Sequence, residues 1–197
     1  MTLSMLFTMS AFALAASISP GPVNLVCLSC GTRFPIRTGL VFVTGATLGF
    51  IALFYAVGFG LYSLLTVFPF IDVLLRWLGV AFLLFMSFKL ASDKGVVTEK
   101  STHPIPGFMT GALMQWLNPK AWLASAAGIG AYTTANDPIQ VVIFGLLYLP
   151  ICWLSLSAWV YAGVFLRKHV ENPRLLMLIN RTLALLLALS CIYLLID

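Results

Sequence analysis

Ser19-Pro20-Gly21-Pro22-Val23-Asn24 interrupts an uncharged apolar run that extends from about Leu3 to Cys30. A second interruption, Asn118-Pro119-Lys120, lies inside the apolar run from about Gly107 to Tyr132. Pro20, Pro22 and Pro119 each lack the backbone N–H that a helix interior uses, and Gly21 loosens the chain between two of them. In lipid such backbone is tolerated only where protein or a water-lined cavity satisfies it. One break in each half of a membrane protein is the sequence pattern of a transporter's binding site.

Composition supports the membrane reading. The chain has 197 residues, of which 61% are hydrophobic and 9% charged. A soluble domain carries roughly 25% charge. Mean hydropathy is +1.03. The net charge of +5 does not indicate nucleic acid, because the charges cluster between apolar runs as membrane topology requires. Ala13-Leu14-Ala15 has the form of a signal-peptide cleavage site, but no Lys or Arg precedes Arg33. The apolar run also continues past it, so the segment is read as a retained first span.

Six spans are expected, all helical, in a single transporter domain covering residues 1–197. They run from about Leu3 to Cys30, Thr38 to Phe68, Phe70 to Leu90, Gly107 to Tyr132, Ile139 to Leu166, and Leu175 to Ile196. Residues 92–106 form a polar linker between halves 1–91 and 107–197. Gly45-x-x-x-Gly49 in span two fits close helix packing, or glycine merely tolerated in a membrane helix. Asp72 and Arg76 form an i,i+4 pair at the entrance of span three, and Lys89 can snorkel at its far end. Asn136, Asp137 and Pro138 form a tight turn, and Pro150 is expected to kink span five.

The loops after spans one, three and five hold Arg33, Arg37, Lys89, Lys94, Lys100, Arg167, Lys168 and Arg174. The other loops hold none, apart from Arg76 a turn inside span three. The positive-inside rule places the basic loops in the cytoplasm and both termini outside. Three spans per half then enter the membrane from opposite sides, an inverted 3+3 repeat with proline-broken helices one and four. Pro20 and Asn118 both fall about 15 Å deep, at roughly 1.5 Å per residue from the cytoplasmic ends.

Lys120 is the one charge expected deep in the membrane, where a lysine costs roughly 2.5–3.5 kcal/mol on insertion scales. It either faces a substrate or donates to carbonyls freed by a break. Asn24 and Asn118 either hold a substrate's carboxylate or ammonium, or cap the broken backbone. The N-termini of the half-helices add backbone donors for an anion. Gln115 and Trp116 complete the candidate substrate site, with Trp122 close by. No catalytic signature, metal cluster or cofactor motif is present, and His103 and His169 fall in loops. A rival function is a transmembrane thiol–disulfide carrier using Cys27-x-x-Cys30; the alternative for these cysteines, and for Cys152 and Cys191, is packing as small hydrophobes. A passive channel is a third reading. A homo-oligomer is compatible with the sequence.

The motifs Pro20-Gly-Pro-Val-Asn24, Arg37–Phe50 (RTGLVFVTGATLGF) and Gly111–Leu123 (GALMQWLNPKAWL) resemble the LysE/RhtB family of amino-acid exporters over essentially the whole chain. That resemblance implies a carrier in the bacterial inner membrane that expels amino acids or close derivatives, driven by the proton gradient. It also marks Pro20, Pro22, Asn24, Asn118, Pro119 and Lys120 as motif positions. Many members carry an acidic residue directly after the glycine that stands here as Gly49; this chain has Phe50. No other Asp or Glu falls deep in an expected span. The phenylalanine resembles the branch that exports cysteine and O-acetylserine, which points to a small neutral amino acid.

Overall fold

A computed structural model describes residues 1–61, scattered positions between 70 and 92, and residues 106–134, 137–169 and 173–196. The elements are helical throughout. They are α1 (Leu3–Ile18), α2 (Pro22–Arg33), α3 (Ile36–Ala56), α4 (Phe108–Trp116), α5 (Pro119–Tyr132), α6 (Pro138–His169) and α7 (Pro173–Ile196). Asp72, Arg76, Lys89, the charged residues of the linker, His103, Asn136 and Glu171 lie outside the described residues.

Among the described residues, Ile36–Gly60 and Pro138–Arg167 are each long and apolar enough to cross a membrane. The pair α1 and α2 passes the same test as one span bent by 60°. Leu3, Phe7, Leu123, Leu146, Leu154 and Phe165 are exposed on the outer surface of the bundle, an apolar skin suited to lipid. Along α6, Tyr148, Cys152, Leu156 and Val160 are buried at four-residue intervals while Leu146, Leu154 and Phe165 point outward. That inward face makes α6 the central post, packed against α1, α2 and α3.

Pro150 does not end this helix: it lies inside α6, which is 32 residues long in all. Its start is set by Asp137, whose Oδ1 accepts from the N–H of Ile139 at 3.1 Å, and by Pro138 in the first turn. The expected span two is interrupted near its end. After Ala56 the helix widens into a π-turn at Val57–Leu61, where Gly60 takes φ 109°. A left-handed residue is cheap only for glycine, so the chain turns there. Residues 62–68, expected to continue the span, lie outside the described residues.

Helices α3 and α4 cross at backbone contact. A Cβ on Gly45 would run into the carbonyl of Phe108, and one on Gly49 would come within 2.6 Å of the Ala112 Cα. Gly111 answers from the other side: its Cβ would lie 2.7 Å from the Ala46 nitrogen. The Gly45-x-x-x-Gly49 pattern therefore packs α4 onto α3 through van der Waals contact, which is what holds helices together in lipid. Gly45→Ala is expected to lower the melting temperature of the detergent-purified protein, with overpacking of about 1–3 kcal/mol. Gly130→Ala, where an added Cβ meets nothing within 4 Å, should leave it unchanged or raise it; equal behaviour of the two variants would contradict the crossing.

Candidate functional site

The first break is a segment in which every carbonyl finds a partner. α1 ends at Ile18, and α2 begins at Pro22 with a proline in its first turn. The Ala15 carbonyl accepts from the N–H of Ser19 at 3.2 Å, and the Ala16 carbonyl from the Ser19 hydroxyl at 3.1 Å. The Ser17 carbonyl accepts from Asn24 Nδ2 at 2.8 Å. The Ile18 carbonyl accepts from the Trp159 indole at 3.1 Å. Lys120 Nζ donates to the Ser19 carbonyl at 2.6 Å, the Ser19 hydroxyl at 2.9 Å and the Pro20 carbonyl at 3.3 Å. The Gly21 carbonyl accepts from the N–H of Leu25 at 3.0 Å.

The second break is built the same way. Asn118 caps α5: its Oδ1 accepts from the N–H of Lys120 at 3.2 Å, with Pro119 at the first helical position. Its own N–H donates to the Gln115 carbonyl at 3.2 Å. The Trp116 carbonyl is taken by the Trp122 indole at 2.8 Å. Both asparagines thus do the capping that sequence reasoning gave as one alternative. Each still keeps a side-chain polar group outside these bonds, Oδ1 of Asn24 and Nδ2 of Asn118, and both residues line the cavity between the breaks.

The breaks touch through Lys120. Gly21 permits this: a Cβ there would lie 2.9 Å from Lys120 Cδ and 3.1 Å from Nζ. Around the contact lies a cavity of about 40 Å³ lined by Ser17, Asn24, Gln115, Asn118 and Lys120 on its polar side. Phe50, Tyr148, Cys152 and Leu156 are among its apolar lining. Asn24, Gln115 and Asn118 are each about 95% buried, and the Gln115 side chain forms no hydrogen bond among the described residues. The first-turn N–H groups of Val23 and Asn24 have no backbone acceptor among the described residues, so they remain available as donors.

Four of the five expected substrate-site residues, Asn24, Gln115, Asn118 and Lys120, therefore share one cavity. Trp116 does not line it. Its ring packs edge-on against Trp122, with centroids 6.2 Å apart and planes at 87°, because Gln115 and not its neighbour takes the inward face of α4. Sequence reasoning missed Ser17, Tyr148, Cys152 and Leu156. The last three had a signal: they recur every fourth residue in a helix otherwise apolar all round.

Cys27 and Cys30 sit in the packed core, 0% and 2% exposed, as free thiols. Disulfide exchange needs an accessible thiolate, so their burial favours the packing role. Among the described residues no group of His, Cys, Asp or Glu is arranged to hold a metal ion.

A bent, apolar helix pair and a polar cavity enclosed by buried amides and one lysine define a membrane carrier. Comparison with known proteins agrees. Residues 14–197 match the model of the LysE type translocator family, and the chain belongs to that family. It is 26% identical to the cysteine/O-acetylserine efflux protein of Klebsiella pneumoniae subsp. pneumoniae over 98% of this chain and 96% of that protein. It is 24% identical to the protein of the same name from Salmonella choleraesuis over the same shares. With that of Escherichia coli O1:K1 the identity is 26% over 95% of each. No solved structure matches the chain.

Asn24→Ala strands the Ser17 carbonyl at a buried site. The expected loss is about 1–3 kcal/mol of stability, read as a lower melting temperature in detergent. An unchanged melting temperature would show that the bond carries no load.

Proposed function

We propose that the chain exports small neutral amino acids or close derivatives, of the cysteine and O-acetylserine kind, across the bacterial inner membrane by alternating access. One observation carries the proposal: Lys120, Asn24, Gln115, Asn118 and Phe50 line the same cavity. The lysine and the free N–H groups at the start of α2 suit a substrate carboxylate. The amide oxygens of Asn24 and Gln115 suit an ammonium. Phe50, with its ring centroid 4.6 Å from that of Tyr148, presents a ring where a carboxylate would be needed to pair a cationic side chain. The names of the relatives support the same substrate class.

The cavity has room for water and not for an amino acid. Binding must therefore open it, and Lys120 supplies the link. A substrate carboxylate competes with the Ser19 and Pro20 carbonyls for the ammonium, and a charged acceptor is the stronger partner. Taking up substrate loosens the first break from the second, and the halves are then free to rock. In this account the six spans form an inverted 3+3 repeat. Its support is the likeness of the two breaks, each with a proline opening the second half-helix and an asparagine capping backbone. The charge distribution supports cytoplasmic basic loops and periplasmic termini. The proton gradient drives export.

The test is efflux of cysteine and O-acetylserine from preloaded cells. Lys120→Ala and Asn118→Ala should each slow efflux at least about tenfold, the kinetic equivalent of one charge-assisted hydrogen bond. A protonophore should abolish the uphill component. Phe50→Asp should shift preference toward lysine. Wild-type efflux by both Lys120→Ala and Asn118→Ala would overturn the site, and efflux insensitive to the protonophore would overturn the coupling.

A further inference from the structure

Above the cavity, toward the side on which the positive-inside rule places both termini, four helices contribute a continuous column of aromatic rings. Phe50 and Tyr148 form its base in the cavity wall, centroids 4.6 Å apart. One turn further out, Phe54 of α3 meets Phe144 of α6 edge-on at 5.1 Å, and Phe54 also touches Tyr148 at 5.5 Å. Phe144 then meets Tyr132 of α5 at 5.6 Å and Phe12 of α1 at 6.2 Å. Phe12 and Tyr132 close the layer at 5.6 Å. Phe50, Phe54, Phe144 and Tyr148 are all at least 96% buried.

Beyond the column lies a crevice of about 680 Å³, lined by Gly58, Phe59, Gly60, Ile129, Thr133 and Val141 among others. It occupies the end of the bundle formed by the π-turn after α3, the C-terminus of α5 and the start of α6. Cavity, rings and crevice therefore follow one another along the same helices. The opposite end is closed differently. There a Cβ on Gly31 would lie 2.9 Å from the Gly163 Cα, and Gly45 and Gly111 hold α3 against α4. Backbone crossings of that kind leave no side chain that could swing aside. Rings on separate helices part through rotation about two side-chain torsions, so the aromatic column is the yielding end.

We propose that Phe12, Phe54, Tyr132 and Phe144, standing on Phe50 and Tyr148, form the outer gate through which substrate leaves the cavity for the crevice. This rests on the cavity being the substrate site. The rings close the path by edge-to-face contact across α1, α3, α5 and α6. Parting any one helix from the others unstacks the column, so exit is tied to the rocking of the halves. Phe144 is the keystone, because it touches Phe12, Phe54, Tyr132 and Tyr148.

Cys152 makes the gate measurable without any substrate. It is a free thiol, 3% exposed, on the cavity wall. In a Cys27→Ala, Cys30→Ala, Cys191→Ala background it becomes the sole cysteine. The probe is a membrane-impermeant cationic methanethiosulfonate added to the outside of intact cells. Phe144→Ala should raise the rate of Cys152 modification about tenfold, since it removes four ring contacts at once. Phe144→Leu, which keeps the volume and loses the ring, should give a smaller rise and serves if the alanine variant does not fold. Phe165→Ala, on the exposed face of α6, should leave the rate unchanged. An unchanged rate in well-folded Phe144→Ala or Phe144→Leu would overturn the gate. Failure of the substrate site would instead appear as normal efflux in the Lys120 and Asn118 variants, whatever the labelling shows.

Discussion

Backbone carbonyls that leave a helix inside a membrane have no water to turn to, and each one left bare costs several kcal/mol. The segment Ala15–Gly21 exposes such carbonyls one after another; Ser19 answers the first two from within the segment, and the surrounding helices answer the rest. α2 answers through Asn24, α6 through Trp159 and α5 through Lys120. The break is thus a convergence point for three helices. Two of these donors, Asn24 and Lys120, also line the cavity. The proposed site falls here for a simple reason: whatever pairs a broken backbone is polar and shielded from lipid, and those are properties a substrate site requires.

This accounts for the double duty of Lys120. Its ammonium has three donor positions, and it places them on the Ser19 carbonyl, the Ser19 hydroxyl and the Pro20 carbonyl. A half-buried lysine held by neutral acceptors alone is satisfied geometrically but has no counter-charge among them. In the proposed function a carboxylate arriving in the cavity supplies one, and the contact between the two breaks is exchanged for it. Around this contact the two ends of the bundle are closed by different means. Glycine crossings fix α3 on α4 and α2 on α6, whereas the outer end is closed by rings.

The breaks themselves were legible in the sequence because proline chemistry is local: Pro20, Pro22 and Pro119 remove donors whatever the fold. The choice of Asn24, Asn118, Lys120 and Gln115 followed from polarity in an apolar setting. Three things were not legible. Tyr148, Cys152 and Leu156 lie in a helix that is apolar on every side, so hydrophobicity does not distinguish the inward face; only their four-residue recurrence does. Trp116 is next to Gln115 in sequence but about 100° away around the helix, and nearness in sequence misassigned it. The turn after α3 was hidden because Phe59 and Leu61 are as apolar as the helix before them, and it rests on the backbone angles of Phe59 and Gly60. Pro150 lies inside α6 and does not end it.

The central claim is that the cavity bridged by Lys120 takes up a neutral amino acid through its carboxylate. The most direct measurement is the melting temperature of the purified protein with and without O-acetylserine, in wild type and in Asn118→Ala, with the amide of O-acetylserine as the ligand lacking a carboxylate. A ligand that binds only the folded state raises the melting temperature with occupancy. The account predicts a shift for wild type with O-acetylserine, a much smaller shift for Asn118→Ala, and none with the amide. Equal shifts for acid and amide, or a full shift in Asn118→Ala, would contradict it.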